Sequence, residues 1–162
     1  MKIAEAMAQV KLLRKEYNDT DINPYVDGSE VIAPDALAEQ FERKAAILRR
    51  IAELKSSIVK SNNTVTLNYN GSTLTLSYAL NLLDSMREEL TLLTSTILPR
   101  LKGATPTKSV MQGRDYVTVP LIPNFTAEDV VVLRNRAAQL ETDIYALQSN
   151  INYTNWNSNI IT

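Results

Sequence analysis

The chain has 162 residues, and its 17 basic and 18 acidic side chains give a formal net charge of −1. It contains neither cysteine nor histidine, which excludes disulfides, thiolate nucleophiles, cysteine-ligated metals and the imidazole base of a Ser-His-Asp triad. The balanced charge argues against a nucleic-acid partner, and no run of about 18 apolar residues is present to span a membrane.

The length and the N-terminal residues set the first expectations. A chain of this size can bury a core of its own, so we expect one helical-bundle domain over residues 1–162. Glu5 and Lys11 interrupt the first apolar stretch. The sequence therefore predicts no signal peptide and a cytoplasmic location.

Four segments repeat apolar residues every three or four positions, over residues 3–17, 37–58, 79–97 and 130–151. A mean spacing near 3.5 is typical of the apolar stripe of helices that pack side by side. We therefore expect an all-α fold, an elongated antiparallel bundle or coiled coil of four helices. These stripes hold almost no polar residues, which favours a packed core over a cofactor pocket, and no cofactor is predicted.

Residues at the ends of these segments agree with helix boundaries. Pro34 suits the first turn of the second helix, and Asn62 can end it. Ser77 and Thr126 are candidate N-caps of the third and fourth helices. Pro99 predicts that the third helix kinks or ends there.

A β-hairpin is predicted over residues 64–76. Apolar and polar residues alternate before Asn70-Gly71, a pair that suits a type I′ turn, and apolar residues return after it. A two-stranded hairpin is marginal in water, so it needs support, and residues 115–119 are a candidate third strand. Residues 102–114 are predicted to form a mobile loop.

An acidic segment after the first helix has the oxygen spacing of a calcium loop. The candidate metal ligands are Asp19, Asp21, Asn23, Asp27 and Glu30. Pro24 stands where such a loop needs glycine, because proline fixes φ near −65°. The segment is therefore interpreted first as an acidic connector, with weak calcium binding by residues 19–30 as an alternative.

Carboxylates on two helices suggest a second metal site. Glu39 and Glu42 share a face of the second helix, and Asp84 and Glu88 share a face of the third. Acidic clusters on helices hold magnesium in all-α nucleotide hydrolases. The alternative function is thus a magnesium-dependent hydrolase, although solvated helix faces also explain these residues.

Charge falls in blocks along the chain. Residues 16–42 hold eight acids and no base, whereas residues 43–60 hold six bases and one acid. Such blocks can pair within a bundle or between copies. Tyr153 and Trp156 lie in an uncharged, Asn-rich tail, where they could form a recognition surface or a lid on the bundle.

Short motifs recur in a familiar order. They are residues 1–7 (MKIAEAM), 61–64 (SNNT), 71–75 (GSTLT), Ala79-Leu80 with Asp84, and 154–156 (TNW). On these motifs the chain resembles a family of small bacterial helical proteins called septicolysin-like. The resemblance implies a helical protein without an established activity. A thiol-activated haemolysin, from which that name comes, is not expected in a chain without cysteine.

The sequence as a whole favours a non-enzymatic role. We expect a self-associating scaffold or protein-interaction module that forms homo-oligomers through its apolar stripes and contacts no membrane.

Overall fold

The computed structural model describes residues 1–20, 22, 34–101 and 107–162, with the backbone alone for residues 34–36. The described chain is mostly helical, as predicted. The helices are α1 (Ile3–Asp19), α2 (Pro34–Thr64), α3 (Leu76–Thr91), α4 (Leu98–Arg100) and α5 (Ala127–Asn157). The strands are β1 (Thr66–Tyr69), β2 (Ser72–Thr75), β3 (Thr107–Gln112) and β4 (Asp115–Pro120).

Hydrogen bonds from side chains fix where the helices begin. The Thr126 hydroxyl accepts from the Asp129 amide at 3.1 Å, and the Asp129 carboxylate accepts from the Thr126 amide at 2.7 Å, so the predicted cap of α5 is confirmed. The predicted cap of α3 is wrong by two residues. Thr75, not Ser77, accepts from the Tyr78 amide, at 3.2 Å, because α3 begins directly after β2.

Pro99 interrupts the third helix, as predicted, but the disturbance lies before it. Residues Leu92–Ile97 form a π-helical turn between α3 and α4, in which the Leu98 amide donates to the Leu93 carbonyl. Proline has no N–H, and its ring would clash with the carbonyl four residues earlier in a regular helix. The wider π turn relieves that clash, and the helix ends one residue after Pro99.

The chain divides into two compact units. The first comprises Met1–Leu80 and Ser149–Thr162, and the second comprises Asn81–Gln148. Both α3 and α5 contribute residues to each unit. The single domain expected over residues 1–162 stays a prediction.

The core of the first unit combines α1, α2, β1 and the ends of α3 and α5. Its buried apolar residues are Ile3, Ala6, Ile47, Ile51, Leu54, Leu67, Leu76, Ala79 and Ile151. In the hairpin, Leu67 pairs with Leu74, and Asn70 and Gly71 have φ of 49° and 78°. These positive values are what a type I′ turn needs, so the Asn-Gly signal located this turn correctly.

The tail after α5 is fastened to the beginning of the chain. The Ile3 amide donates to the Ser158 carbonyl and the Ile160 amide donates to the Met1 carbonyl, both at 3.0 Å. The Ile161 amide donates to the hydroxyl of Ser61, a fully buried residue of α2. The tail therefore completes the first unit instead of standing free.

The second unit has its own small core. Leu93 of the π turn is buried together with Ala137 and Leu140 of α5, and partly buried apolar residues such as Ile97 and Leu133 pack around them. The π turn therefore supplies one of the three buried residues in this cluster.

A second hairpin, which the sequence analysis missed, lies in this unit. The predicted strand at residues 115–119 exists as β4, but it pairs antiparallel with β3 and not with the first hairpin. The loop predicted over residues 102–114 is therefore wrong for Thr107–Gln112, while residues 102–106 lie outside the described chain. Gly113 begins the turn with a φ of 68°, a value that glycine adopts easily.

Candidate functional site

The structure gives partial information on the candidate calcium ligands. Asp19 is the last residue of α1. The other four, Asp21, Asn23, Asp27 and Glu30, lie outside the described residues. Calcium binding by this segment stays a prediction.

The carboxylates proposed for magnesium lie on exposed helix surfaces. Glu42 forms an ion pair with Arg49 at 3.0 Å, and Asp84 forms one with Arg87 at 3.5 Å. Within residues 1–20, 22, 34–101 and 107–162, no three acidic residues are grouped to hold a metal ion. Glu42 and Asp84 thus act as partners of nearby arginines, and Glu39 and Glu88 are exposed, as on a solvated helix face.

One ion pair joins two helices of the second unit. Arg136 Nε and Nη2 donate to the two carboxylate oxygens of Glu89 at 2.7 and 3.0 Å. This two-point contact lowers the pKa of Glu89 and raises that of Arg136, because each charge stabilises the other. Both side chains are about half exposed, so the pair orients α3 on α5 and adds little stability.

The second hairpin presents an unusual surface, since every residue of β3 and β4 is exposed. Paired residues of an antiparallel sheet point to the same side. Val110 faces Val117, and Lys108 faces Val119, so three valines share one side. We call this side the valine face; it comprises Lys108, Val110, Gln112, Asp115, Val117 and Val119.

The opposite side of the hairpin carries no charged residue. Ser109 faces Thr118, and Thr107 faces Pro120. Met111 and Tyr116 form a pair on this side beside the turn, and both are largely exposed. The valine face therefore groups three β-branched residues with both charged residues of the strands, whereas the other side combines small polar residues with Met111, Tyr116 and Pro120.

Apolar exposure continues in the segment that leads to α5. Leu121 and Phe125 are exposed, and Ile122 has 92% of its surface in contact with solvent. Where such exposed apolar residues adjoin in a patch, they mark an interaction site more often than scattered ones do.

A cleft runs between α1 and α2 in the first unit. It consists of two adjoining hollows of about 310 and 220 Å³ that share Tyr17 and Leu48. The first hollow is lined by Arg14, Tyr17, Asn18, Leu48, Ile51 and Lys55, and the second by Tyr17, Ile22, Phe41, Lys44, Ala45 and Leu48. We call these two hollows together the α1–α2 cleft.

Another hollow, of about 260 Å³, lies between α1 and α5. Ala4, Met7 and Ala8 line one side, and Trp156 lines the other with 61% of its surface exposed. Asn155 also lines it, and its buried Oδ1 atom has no hydrogen-bond partner among the residues that the structure describes. Trp156 therefore lies, mostly exposed, at the edge of an open hollow.

Apolar periodicity alone did not reveal these surfaces. The stripe of α2 predicts apolar positions for a core or for self-association without separating them; Phe41 is 60% and Leu48 48% exposed, whereas Ile51 and Leu54 are buried. A stripe identifies the apolar side of a helix but not where a neighbour covers it. For the second hairpin, the glycine of Gln112-Gly113-Arg114-Asp115 was the available signal.

In the part of the chain that the structure describes, no helix is both long and apolar enough to cross a membrane. Comparisons with protein-family models, with curated proteins and with solved structures found no match.

Proposed function

We propose that the protein is a non-enzymatic, self-associating helical scaffold, and that its copies pack through the valine face of the second hairpin. The observation that carries the proposal is the exposure of all residues of β3 and β4, including Val110, Val117 and Val119. A two-stranded hairpin is marginal in water without a surface to pack on. A second copy would supply that surface.

The charges of the valine face favour a second copy as the occupant. The face carries one base, Lys108, and one acid, Asp115, at opposite ends. The net charge of the face is therefore zero, so two copies of it do not repel each other electrostatically. In a two-fold symmetric dimer, the same surface of each copy meets at the interface. Among the described strands, β3 pairs with β4 alone, and a further strand could add to the outer edge of either.

The predicted arrangement of the helices, the location and the family are part of the same proposal. We propose that the helices form an antiparallel bundle, supported in the second unit by the packing of Leu93 on Ala137 and Leu140. The cytoplasmic location and the membership of the septicolysin-like family stay predictions. The hydrolase alternative finds no cluster of acids among the described residues, where Glu42 and Asp84 pair with arginine, and the calcium-binding alternative stays a prediction.

Sedimentation equilibrium over a range of about 1 to 100 µM tests the proposal, because association depends on concentration. We expect the mean mass to exceed that of one chain at the upper end. Val117→Asp places a charge on the valine face and should return the mass toward that of one chain. Thr118→Asp is the matched control, since it adds the same charge to the neighbouring exposed residue on the opposite side.

Two results would contradict the proposal. One is a wild-type chain that remains monomeric over the whole range. The other is association that Val117→Asp and Thr118→Asp weaken equally, since that would place the contact elsewhere. Circular dichroism of both variants checks that the helices are intact.

A further inference from the structure

We propose that the α1–α2 cleft is a docking site for an acidic amphipathic helix of a partner protein. This site lies in the first unit and does not depend on self-association through the valine face. Three properties of the cleft carry the inference: its length, its apolar lining and the sign of its charges.

The length of the cleft suits a helix better than a small molecule. Along α2 its lining extends from Phe41 through Leu48 to Lys55. At a rise of about 1.5 Å per residue, this path is roughly 20 Å long, or about four helical turns. An amphipathic helix of similar length can lie along it in the manner of other helix-in-groove complexes.

The lining offers apolar anchors that are accessible to solvent. Ile51 is buried, whereas Leu48 is about half exposed and Phe41 more than half. Leu48 lies where the two hollows meet, and Phe41 lies at the end of the second hollow. Exposed large apolar groups in a concave surface gain most when a partner covers them. The apolar side of a helix would bury Phe41 and Leu48 beside the already buried Ile51.

Charge determines which kind of helix fits. Arg14, Lys44 and Lys55 line the cleft, and none of its described lining residues is acidic. Lys44 is already oriented, because its Nζ lies 4.4 Å from the centre of the Tyr17 ring and donates to the Thr20 carbonyl at 2.8 Å. A helix with glutamates beside its apolar side would meet these bases, whereas a basic helix would be repelled.

Fluorescence anisotropy with the full chain tests the proposal. The probe is a labelled peptide of about 16 residues with Leu at heptad a and d positions and Glu at the flanking positions. The matched probe has Lys in place of every Glu. We expect the acidic peptide to bind at least about tenfold more tightly, and the difference to shrink at high salt because the bases are partly exposed.

Variants of the chain locate the binding. The double variant Lys44→Glu with Lys55→Glu should weaken binding of the acidic peptide by about tenfold or more. Arg114→Glu with Arg134→Glu makes the same change of charge at exposed positions outside the cleft and should leave the affinity unchanged. Leu48→Asp should abolish binding without unfolding the chain, because Leu48 is about half exposed.

Three outcomes would overturn the proposal. They are equal affinity for the acidic and basic peptides, no binding of the acidic peptide at about 200 µM, and equal effects of the two double variants. If the Lys44→Glu/Lys55→Glu variant instead loses self-association and no peptide binds, a second copy occupies the cleft. Failure of Val117→Asp to reduce self-association would leave the docking proposal standing, so the two proposals fail separately.

Discussion

The hydroxyl of Ser61 accepts a hydrogen bond of 2.7 Å from the backbone amide of Ile161, one hundred residues further along the chain. The same hydroxyl donates to the Ser57 carbonyl at 2.7 Å. Ser61 is fully buried, so both bonds are shielded from water. A single small side chain thus ties the tail after α5 to the middle of the first unit.

Replacing Ser61 by alanine should destabilise the protein by about 1–3 kcal/mol, because the part-buried amide of Ile161 would lose its acceptor. Urea unfolding followed by circular dichroism measures the change. Ser56→Ala is the control, since Ser56 lies on the same helix, is exposed and gains the same helix propensity. Equal stability of the two variants would show that the contact with the tail contributes nothing.

The core of the second unit should be sensitive to the loss of Leu140. Leu140 is 1% exposed and packs with Leu93 and Ala137, so Leu140→Ala removes buried contacts and leaves a cavity. We expect a loss of about 2–5 kcal/mol in the free energy of unfolding. Val132→Ala, at an exposed position of the same helix, should change it by less than about 0.5 kcal/mol. A similar loss in both variants would contradict the assignment of this core.

The N-cap of α5 should contribute measurable stability. Thr126→Ala removes the hydroxyl that accepts from the Asp129 amide, so we expect a loss of about 1 kcal/mol in the free energy of unfolding. Thr142→Ala is the control, because Thr142 lies exposed in the interior of the same helix. If the two variants have the same free energy of unfolding, measured by heat or urea, the cap is not formed in solution.

The ion pair between Glu89 and Arg136 predicts a small acid sensitivity. Because the folded pKa of Glu89 is lowered from 4.5, the pair stabilises the protein above that value, and its contribution is lost as the pH falls through the folded pKa. The contribution of the pair should be small, since both groups are substantially exposed and screened by solvent.

The variant Glu89→Gln isolates this effect. At pH 7 it should be slightly less stable than the wild type, and the difference should vanish in acid below the folded pKa of Glu89. Glu88→Gln, at the adjacent exposed position, serves as the reference. A difference between Glu89→Gln and wild type that persists unchanged into acid would contradict the role of the pair.

Sequence reasoning was most accurate where local chemistry decides the structure. The apolar stripes located the helices, Asn70-Gly71 located the first turn, and Thr126 located the start of α5, because each signal acts within a few residues. The cap of α3 was misplaced because Thr75 ends β2 and caps the next helix at once.

Features that depend on contacts between distant residues could not be predicted from the sequence. Nothing near Ser61 in the sequence indicates that residue 161 will donate to it. The exposure of Phe41 and Leu48 depends on which neighbours cover α2, and apolar spacing does not encode that. The π turn adjusts the backbone across Leu92–Ile97 to accommodate Pro99, a change that a simple helix pattern does not describe.

The most direct test of self-association is the reactivity of a single thiol on the valine face. The chain has no cysteine, so Val117→Cys introduces one reporter, and Thr118→Cys places the same reporter on the opposite side of the hairpin. At low concentration both thiols should react rapidly with a maleimide. As the concentration rises, the proposal predicts that Cys at position 117 becomes protected while Cys at position 118 continues to react. Unchanged reactivity at position 117 up to about 100 µM would contradict the packing of copies through this face.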